Sequence, residues 1–101
     1  MKVKTLDIRK VEKVAFILKA MANPLRIGII DLLRIHDELS VNDISKKLSA
    51  EQSLVSHNLS NMKLKGILGS RREGKHIYYY LKLKEVLKVI ECMEQCDLND
   101  L

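Results

Sequence analysis

SVNDISKKLSAEQSLVSHNLSNMKLKGILGSRREGKHIYYY, from Ser40 to Tyr80, decides the fold of this chain. Ser40 and Asp43 stand three residues apart, the spacing at which a hydroxyl and a carboxylate satisfy the free amides of a helix start. Val41, Ile44 and Leu48 then share one apolar face. Ser49 and Gln52 repeat the capping pattern at once, with the hydroxyl as cap and Gln at the third helical position. Two helices so close in sequence must turn sharply. The second, from about Ala50 to about Lys65, separates its residue types around the helical wheel. Val55, Leu59 and Met62 fall on one side, and Ser53, Ser56, His57 and Ser60 on the other, with Gln52 and Asn61 at the margins.

A solvated helix more often carries Lys and Glu on its outer face. Ser, His, Gln and Asn are short enough to approach base edges and phosphates without long flexible stems. Taken alone, such a face also fits a merely polar surface. The segment after it adds to the case, because Lys63, Lys65, Arg71, Arg72, Lys75 and His76 surround a turn with Glu73-Gly74 at its tip. The run from His76 to Leu81 is rich in strand-favouring residues. Ile77, Tyr79 and Leu81 share one face, expected inward, which leaves Tyr78 and Tyr80 partly exposed. A basic hairpin directly after a polar-faced helix has the order of a DNA-reading head with a wing. A solvated loop that happens to carry cations is the bland alternative.

Four segments together resemble the ArsR/SmtB family of small dimeric winged-helix repressors: Leu18 to Ile27, Glu38 to Ile44, Gln52 to Leu59, and Arg71 to Tyr79. The resemblance covers most of the chain and rests on their order and spacing. It implies a mainly α chain with a small β-hairpin (α+β), a winged helix-turn-helix with five helices and the hairpin between the fourth and fifth. One domain, residues 1–101, would dimerise through its first and last helices. The recognition helices of a two-fold homodimer would then enter successive major grooves of double-stranded DNA at a pseudo-palindromic operator, with half-sites about 34 Å apart or a multiple of it. Gln52, Ser53, Ser56 and His57 match the family's recognition-helix positions, with Ser56 and His57 best placed for base edges and Ser60 and Asn61 beside them. Arg71, Arg72, Lys75 and His76 match the wing and, with Lys63, are expected on phosphates.

Composition agrees. A chain of 101 residues makes one small domain with a modest core. The net charge of +5, from 18 Lys and Arg against 13 Asp and Glu, suits a polyanionic partner without demanding one. No apolar run reaches membrane-spanning length, and Met1 to Thr5 lead into an amphipathic segment, so no membrane partner and a cytoplasmic location are expected. Asn23-Pro24 marks a helix start, Asn as cap and Pro at the first helical position. The helix before it ends near Met21 and carries Ile8, Val11, Val14, Ala15 and Leu18 at helical spacing. The helix after it, with Ile27, Ile29, Ile30, Leu32 and Leu33, is expected to be central core. The last helix, from about Lys84 to about Asp97, lines up Leu83, Val86, Val89, Ile90 and Met93, which something must cover.

Two metal patterns of the family are not matched. Its arsenic- and cadmium-type members place a Cys-x-Cys pair where this chain has Ser40 and Asn42. Its zinc and cobalt members use a carboxylate and histidines on the last helix, where Leu83, Glu85, Cys96 and Asn99 fall. No metal and no cofactor is therefore expected, and the effector is unknown. Cys92 and Cys96, one helical turn apart at the margin of the apolar stripe, read as small packed residues. They read alternatively as thiols of a redox- or soft-metal-responsive repressor, through intersubunit disulfides or a four-thiolate site. The family's dithiol sensors pair a late cysteine with one nearer the N-terminus, and none precedes Cys92. His36 ends a helix, where a cation suits the dipole. With three dispersed histidines, no Gly-rich phosphate loop and no nucleophile beside a base, enzyme chemistry is excluded. A protein-interaction module using the winged helix is the third class. A steep loss of duplex affinity with salt would separate it from the DNA-binding readings.

Overall fold

The computed structural model describes residues 5–99 and 101 of the chain. Met1 to Lys4, part of the expected amphipathic start, and Asp100 lie outside the described residues. Helix α1 (Ile8–Met21) starts where the Asp7 side chain accepts from the Lys10 amide at 2.9 Å. Helix α2 (Pro24–Ile35) begins as expected, with the Asn23 side chain accepting from the Leu25 and Arg26 amides and Pro24 at the first position. Strand β1 (Leu39–Ser40) leads into α3 (Val41–Leu48). Helix α4 (Gln52–Leu64), strands β2 (Leu68–Glu73) and β3 (His76–Leu81), and α5 (Val86–Gln95) complete the order.

The expected five helices and hairpin are present, with β1 as an addition. It pairs antiparallel with β3, Leu39 with Tyr79 and Ser40 with Tyr78, so the sheet is three-stranded with β3 in the middle. Two residues carry no strand periodicity of their own, and only the partner defines them.

Ile29, Ile30, Ile44, Val55, Leu59, Met62 and Ile67 are 0% exposed and form the core with Leu68, Leu81 and Val86. The expected apolar faces of α3 and α4 are therefore inside. Ile27 is a correction: it is 43% exposed in a groove between α2 and α5, because the helix turns that side away from the sheet. At α4, the Gly66 backbone at φ 82° ends the helix. At Gly69 the Tyr80 ring lies across the strand from β3, so a Cβ there would have to displace that ring.

The first of the two capping expectations holds. The Asp43 amide donates to Ser40 Oγ at 3.1 Å, and the Ser40 amide donates to Asp43 Oδ2 at 3.3 Å. The second is corrected: Ser49 does not cap α4 but ends α3 in the left-handed conformation, at φ 51°. Glu51 precedes α4 without a side-chain cap bond, and Gln52 is its first residue rather than its third. Serine serves at both ends of helices, and here the sharp reversal claims it.

Hydrogen bonding to Ser40, hydroxyl first and amide second, holds the Asp43 carboxyl below its usual range. A carboxyl with a depressed folded pKa stabilises above its unfolded value, about 3.9, and loses that contribution as pH falls through the folded pKa. Asp43→Asn should therefore melt below the parent at neutral pH, with the gap narrowing below about pH 4. Thermal melts across pH check this, and a gap constant down to acid pH would remove the carboxylate from the account.

The protomer is elongated. Its radius of gyration is 15.4 Å, against about 13 Å for a compact chain of 100 residues. Helix α1 causes this, for it is anchored to its own protomer by Ile17, Ala20 and Met21 near its end. The predicted stripe faces outward, with Ile8 68%, Val11 43%, Val14 39% and Leu18 47% exposed. Helix α5 is shorter than expected: it ends at Gln95, and Cys96 lies beyond it in extended conformation. Leu87, Val89 and Ile90 pack partly on the core, whereas Met93 is 46% exposed.

Candidate nucleic-acid interface

Burying Val55, Leu59 and Met62 turns the opposite face of α4 to solvent. Ser53, His57 and Ser60 are exposed there, Ser56 is half-buried at the edge, and Gln52 is exposed at the helix start. These five residues thus share one accessible surface. Asn61 sits apart from them, half-buried, with an Oδ1 that is buried and without a partner. Lys63 is exposed on the last turn. The Gln52 side-chain amide donates to Asn42 Oδ1 at 2.7 Å, which ties the start of α4 to the first turn of α3.

Asn58, which the sequence reading left unassigned, is 5% exposed on the core side of this helix. Its amide is satisfied: Oδ1 accepts from Arg26 Nε at 2.7 Å, and Nδ2 donates to the Leu54 carbonyl at 2.9 Å. Its position two residues after Ser56 and one after His57 gave no sign of a partner 32 positions away.

The hairpin register sorts the wing. Directly opposed residues share a face of the sheet. Leu68 with Leu81, Ser70 with Tyr79, and Arg72 with Ile77 therefore lie on the face that packs against the helices. Gly69 with Tyr80, Arg71 with Tyr78, and Glu73 with His76 lie on the other. Tyr79 and Leu81 are buried as expected, but Ile77 is 37% exposed, a correction to its inward assignment. It stays on the inward face but lines the open cleft between the hairpin and the starts of α3 and α4, which leaves it partly in solvent. Tyr78 is half-buried and Tyr80 exposed, in line with expectation.

The basic side chains of the wing divide by partner rather than by face. Arg72, Lys75 and His76 are exposed at the tip. Arg71 is engaged: its Nε donates to Glu38 Oε2 at 2.8 Å, its Nη2 also bonds Glu38, and its Nη1 meets Glu73 Oε2 at 2.7 Å. Its guanidinium also lies 4.8 Å from the centre of the Tyr78 ring. The Arg71 bond holds the Glu38 carboxyl below its usual range. Arg71 thus joins the hairpin to the segment before β1. A shallow cleft between the helix-turn-helix and the hairpin brings Asn42 and Gln52 within reach of Lys75 and His76.

Cys92 and Cys96 are both free thiols, exposed in the protomer. Among the described residues, no group of three or more His, Cys, Asp or Glu side chains is brought together in a way that could hold a metal ion. Among them too, no helix is long and apolar enough to cross a membrane.

The model of the arsR family of bacterial regulatory proteins matches residues 23–70, which run from the cap of α2 into β2. The chain is 35% identical to the transcriptional activator HlyU of Vibrio cholerae over 86% of its own length and 82% of HlyU. The HlyU structure superposes with a TM-score of 0.80 at 32% identity, covering 88% of this chain and 96% of that one. The structure of the transcriptional repressor PagR of Bacillus anthracis gives a TM-score of 0.77 at 34% identity, over 86% of this chain and 99% of PagR. The homodimeric winged helix-turn-helix DNA-binding domain of Mb0332 from Mycobacterium bovis gives 0.72 at 28% identity, over 92% of this chain and 87% of that domain. The chain belongs to the arsR family of bacterial regulatory proteins, winged helix-turn-helix transcriptional regulators and not enzymes.

Proposed function

We propose that this protein is a homodimeric repressor that binds a pseudo-palindromic operator in double-stranded DNA. The exposed polar face of α4 carries the reading, because it offers short hydrogen-bonding side chains on a convex helix beside a basic hairpin tip. Ser56 and His57 read base edges from the major groove, with Gln52, Ser53 and Ser60 beside them. Asn61, with its Oδ1 turned inward, has the smallest part. Lys63, Arg72, Lys75 and His76 hold phosphates, which sets affinity and salt dependence more than sequence choice. Repression follows from occupancy of the operator, the role that PagR's name gives to that relative.

The dimer forms on α1 and α5. Among the described residues the stripe of Ile8, Val11, Val14 and Leu18 stays exposed, and a second copy is the simplest cover. Mb0332 is homodimeric, and this chain shares its fold. A cytoplasmic location suits such a regulator.

Arg71 serves the wing differently. Its charge is already met by Glu38 and Glu73, so it fastens the hairpin rather than neutralising phosphate. Lys75→Ala should lower the slope of log affinity against log salt by about 0.9, the share of one phosphate contact. Arg71→Ala should leave that slope near the parental value. Binding titrations at several salt concentrations check both, and equal losses of slope would return Arg71 to the phosphate-binding set.

A second reading adds a switch. Exposed Cys92 and Cys96 stand at the end of a helix whose outer side needs a partner, so thiols of two subunits can meet across the two-fold axis. Oxidation or a soft metal would then join the subunits in a new geometry. Selection of bound sites from random duplex DNA, under reducing and oxidising conditions and with thiophilic metals, tests both readings. A palindromic consensus supports the first, and its loss on oxidation or metal addition supports the second. No enrichment under any condition sinks the DNA reading and favours a protein-binding module.

A further inference from the structure

Arg26 is the one side chain among the described residues that hydrogen-bonds to both α1 and α4. Its Nε donates to Asn58 Oδ1 at 2.7 Å, and its Nη1 donates to the Ala20 carbonyl at 3.1 Å. That carbonyl belongs to the last turn of α1, where carbonyls lack a partner within the helix and a cation also meets the negative end of the dipole. Asn58 completes the connection by donating to the Leu54 carbonyl inside α4. Ala20 is 1% and Asn58 5% exposed, so water competes little for these bonds.

We propose that Arg26 and Asn58 form a strut that fixes the angle between α1 and α4, and thereby sets the half-site spacing that the dimer accepts. This rests on the reading of α4 as the DNA-reading helix and of α1 as part of the dimer interface. Each α4 is carried by its own α1, so looseness between them enters twice into the separation of the two reading helices. A shift of one base pair moves a half-site about 3.4 Å along the DNA and about 35° around it. A rigid pair of helices discriminates such a shift, and a loose pair does not.

Apolar packing of Ala20 and Met21 in the core they share with α4 holds the two helices together without fixing a direction. At the far end of α4, Lys65 Nζ lies 6.0 Å from the centre of the Phe16 ring, a contact made by a long flexible stem. The guanidinium, by contrast, sends two directional bonds from one rigid plane into two helices. A lysine ammonium supplies the charge without that plane.

Two variants, Arg26→Lys and Asn58→Ala, test the strut by two measurements. The first is the distance distribution between spin labels at Ser60→Cys of the two subunits, with Cys92→Ser and Cys96→Ser in place and no DNA present. The parent should give one narrow distribution and both variants broader ones. The second is selection from duplex libraries of graded spacing. Both variants should keep the half-site sequence but discriminate about tenfold less against half-sites displaced by one base pair. Distributions as narrow as the parent's overturn the strut, as does a uniform loss of affinity with the spacing preference intact, which marks a fold-stabilising clip only. A parent protein that selects no duplex overturns the function proposed above instead, and the label distances still decide the strut. Where Asn58→Ala does not fold, Arg26→Lys carries both measurements.

Discussion

Val11→Asp and Val14→Asp should each convert the dimer to a folded monomer and lower operator affinity by about 10²-fold or more, the loss expected when two linked half-site contacts become one. In the protomer these valines are 43% and 39% exposed, so a carboxylate at either finds water and the fold survives. In the dimer the same carboxylate would lie in an apolar contact without a partner, where desolvation costs several kcal/mol. The elongated shape of the protomer points the same way, since α1 is anchored only near its end. Sedimentation equilibrium, circular dichroism and gel shift check the three parts of this expectation. Dimeric variants with parental affinity would place the interface elsewhere, and unfolded ones would mean that α1 is needed by its own protomer.

The same helix shows what was legible in the sequence. Its apolar spacing was plain, but periodicity marks a face without saying what covers it, and within the protomer this face stays exposed. Local signals were read correctly where one residue had one use. Asn23 beside Pro24 and Ser40 with Asp43 cap helices through bonds that close within three residues. Ser49 misled because serine suits a helix start and tolerates the left-handed turn that this reversal needs.

The candidate interface divides likewise. The wheel found Ser53, Ser56, His57 and Ser60, because burial of Val55, Leu59 and Met62 forces the opposite side outward. It could not find that Arg71 is neutralised by Glu38, 33 positions away. Nor could it find Asn58, whose partner Arg26 lies in another helix. Both depend on contacts between distant segments, and neither leaves a periodic trace. Strand β1 escaped for the same reason, since β3 alone makes two residues into a strand.

Replacing Ser56 and His57 together by Ala should give the opposite pattern from the interface variants: a stable dimer that still binds duplex DNA but no longer prefers its operator. Both side chains are on the solvent side of α4, with His57 exposed and Ser56 half-buried, so their loss opens no cavity in the core. Each well-made base contact carries about 1–3 kcal/mol of discrimination, and a two-fold dimer makes each contact twice. The ratio of specific to non-specific affinity should therefore fall by about 10²-fold or more. Non-specific affinity and its salt slope should stay near parental, since Arg72, Lys75 and Lys63, the proposed phosphate contacts, are untouched. Titrations with operator and scrambled duplexes, each at several salt concentrations, separate the two terms. Equal losses on both duplexes would assign Ser56 and His57 to the phosphates, and an unchanged ratio would move the reading of sequence to the wing.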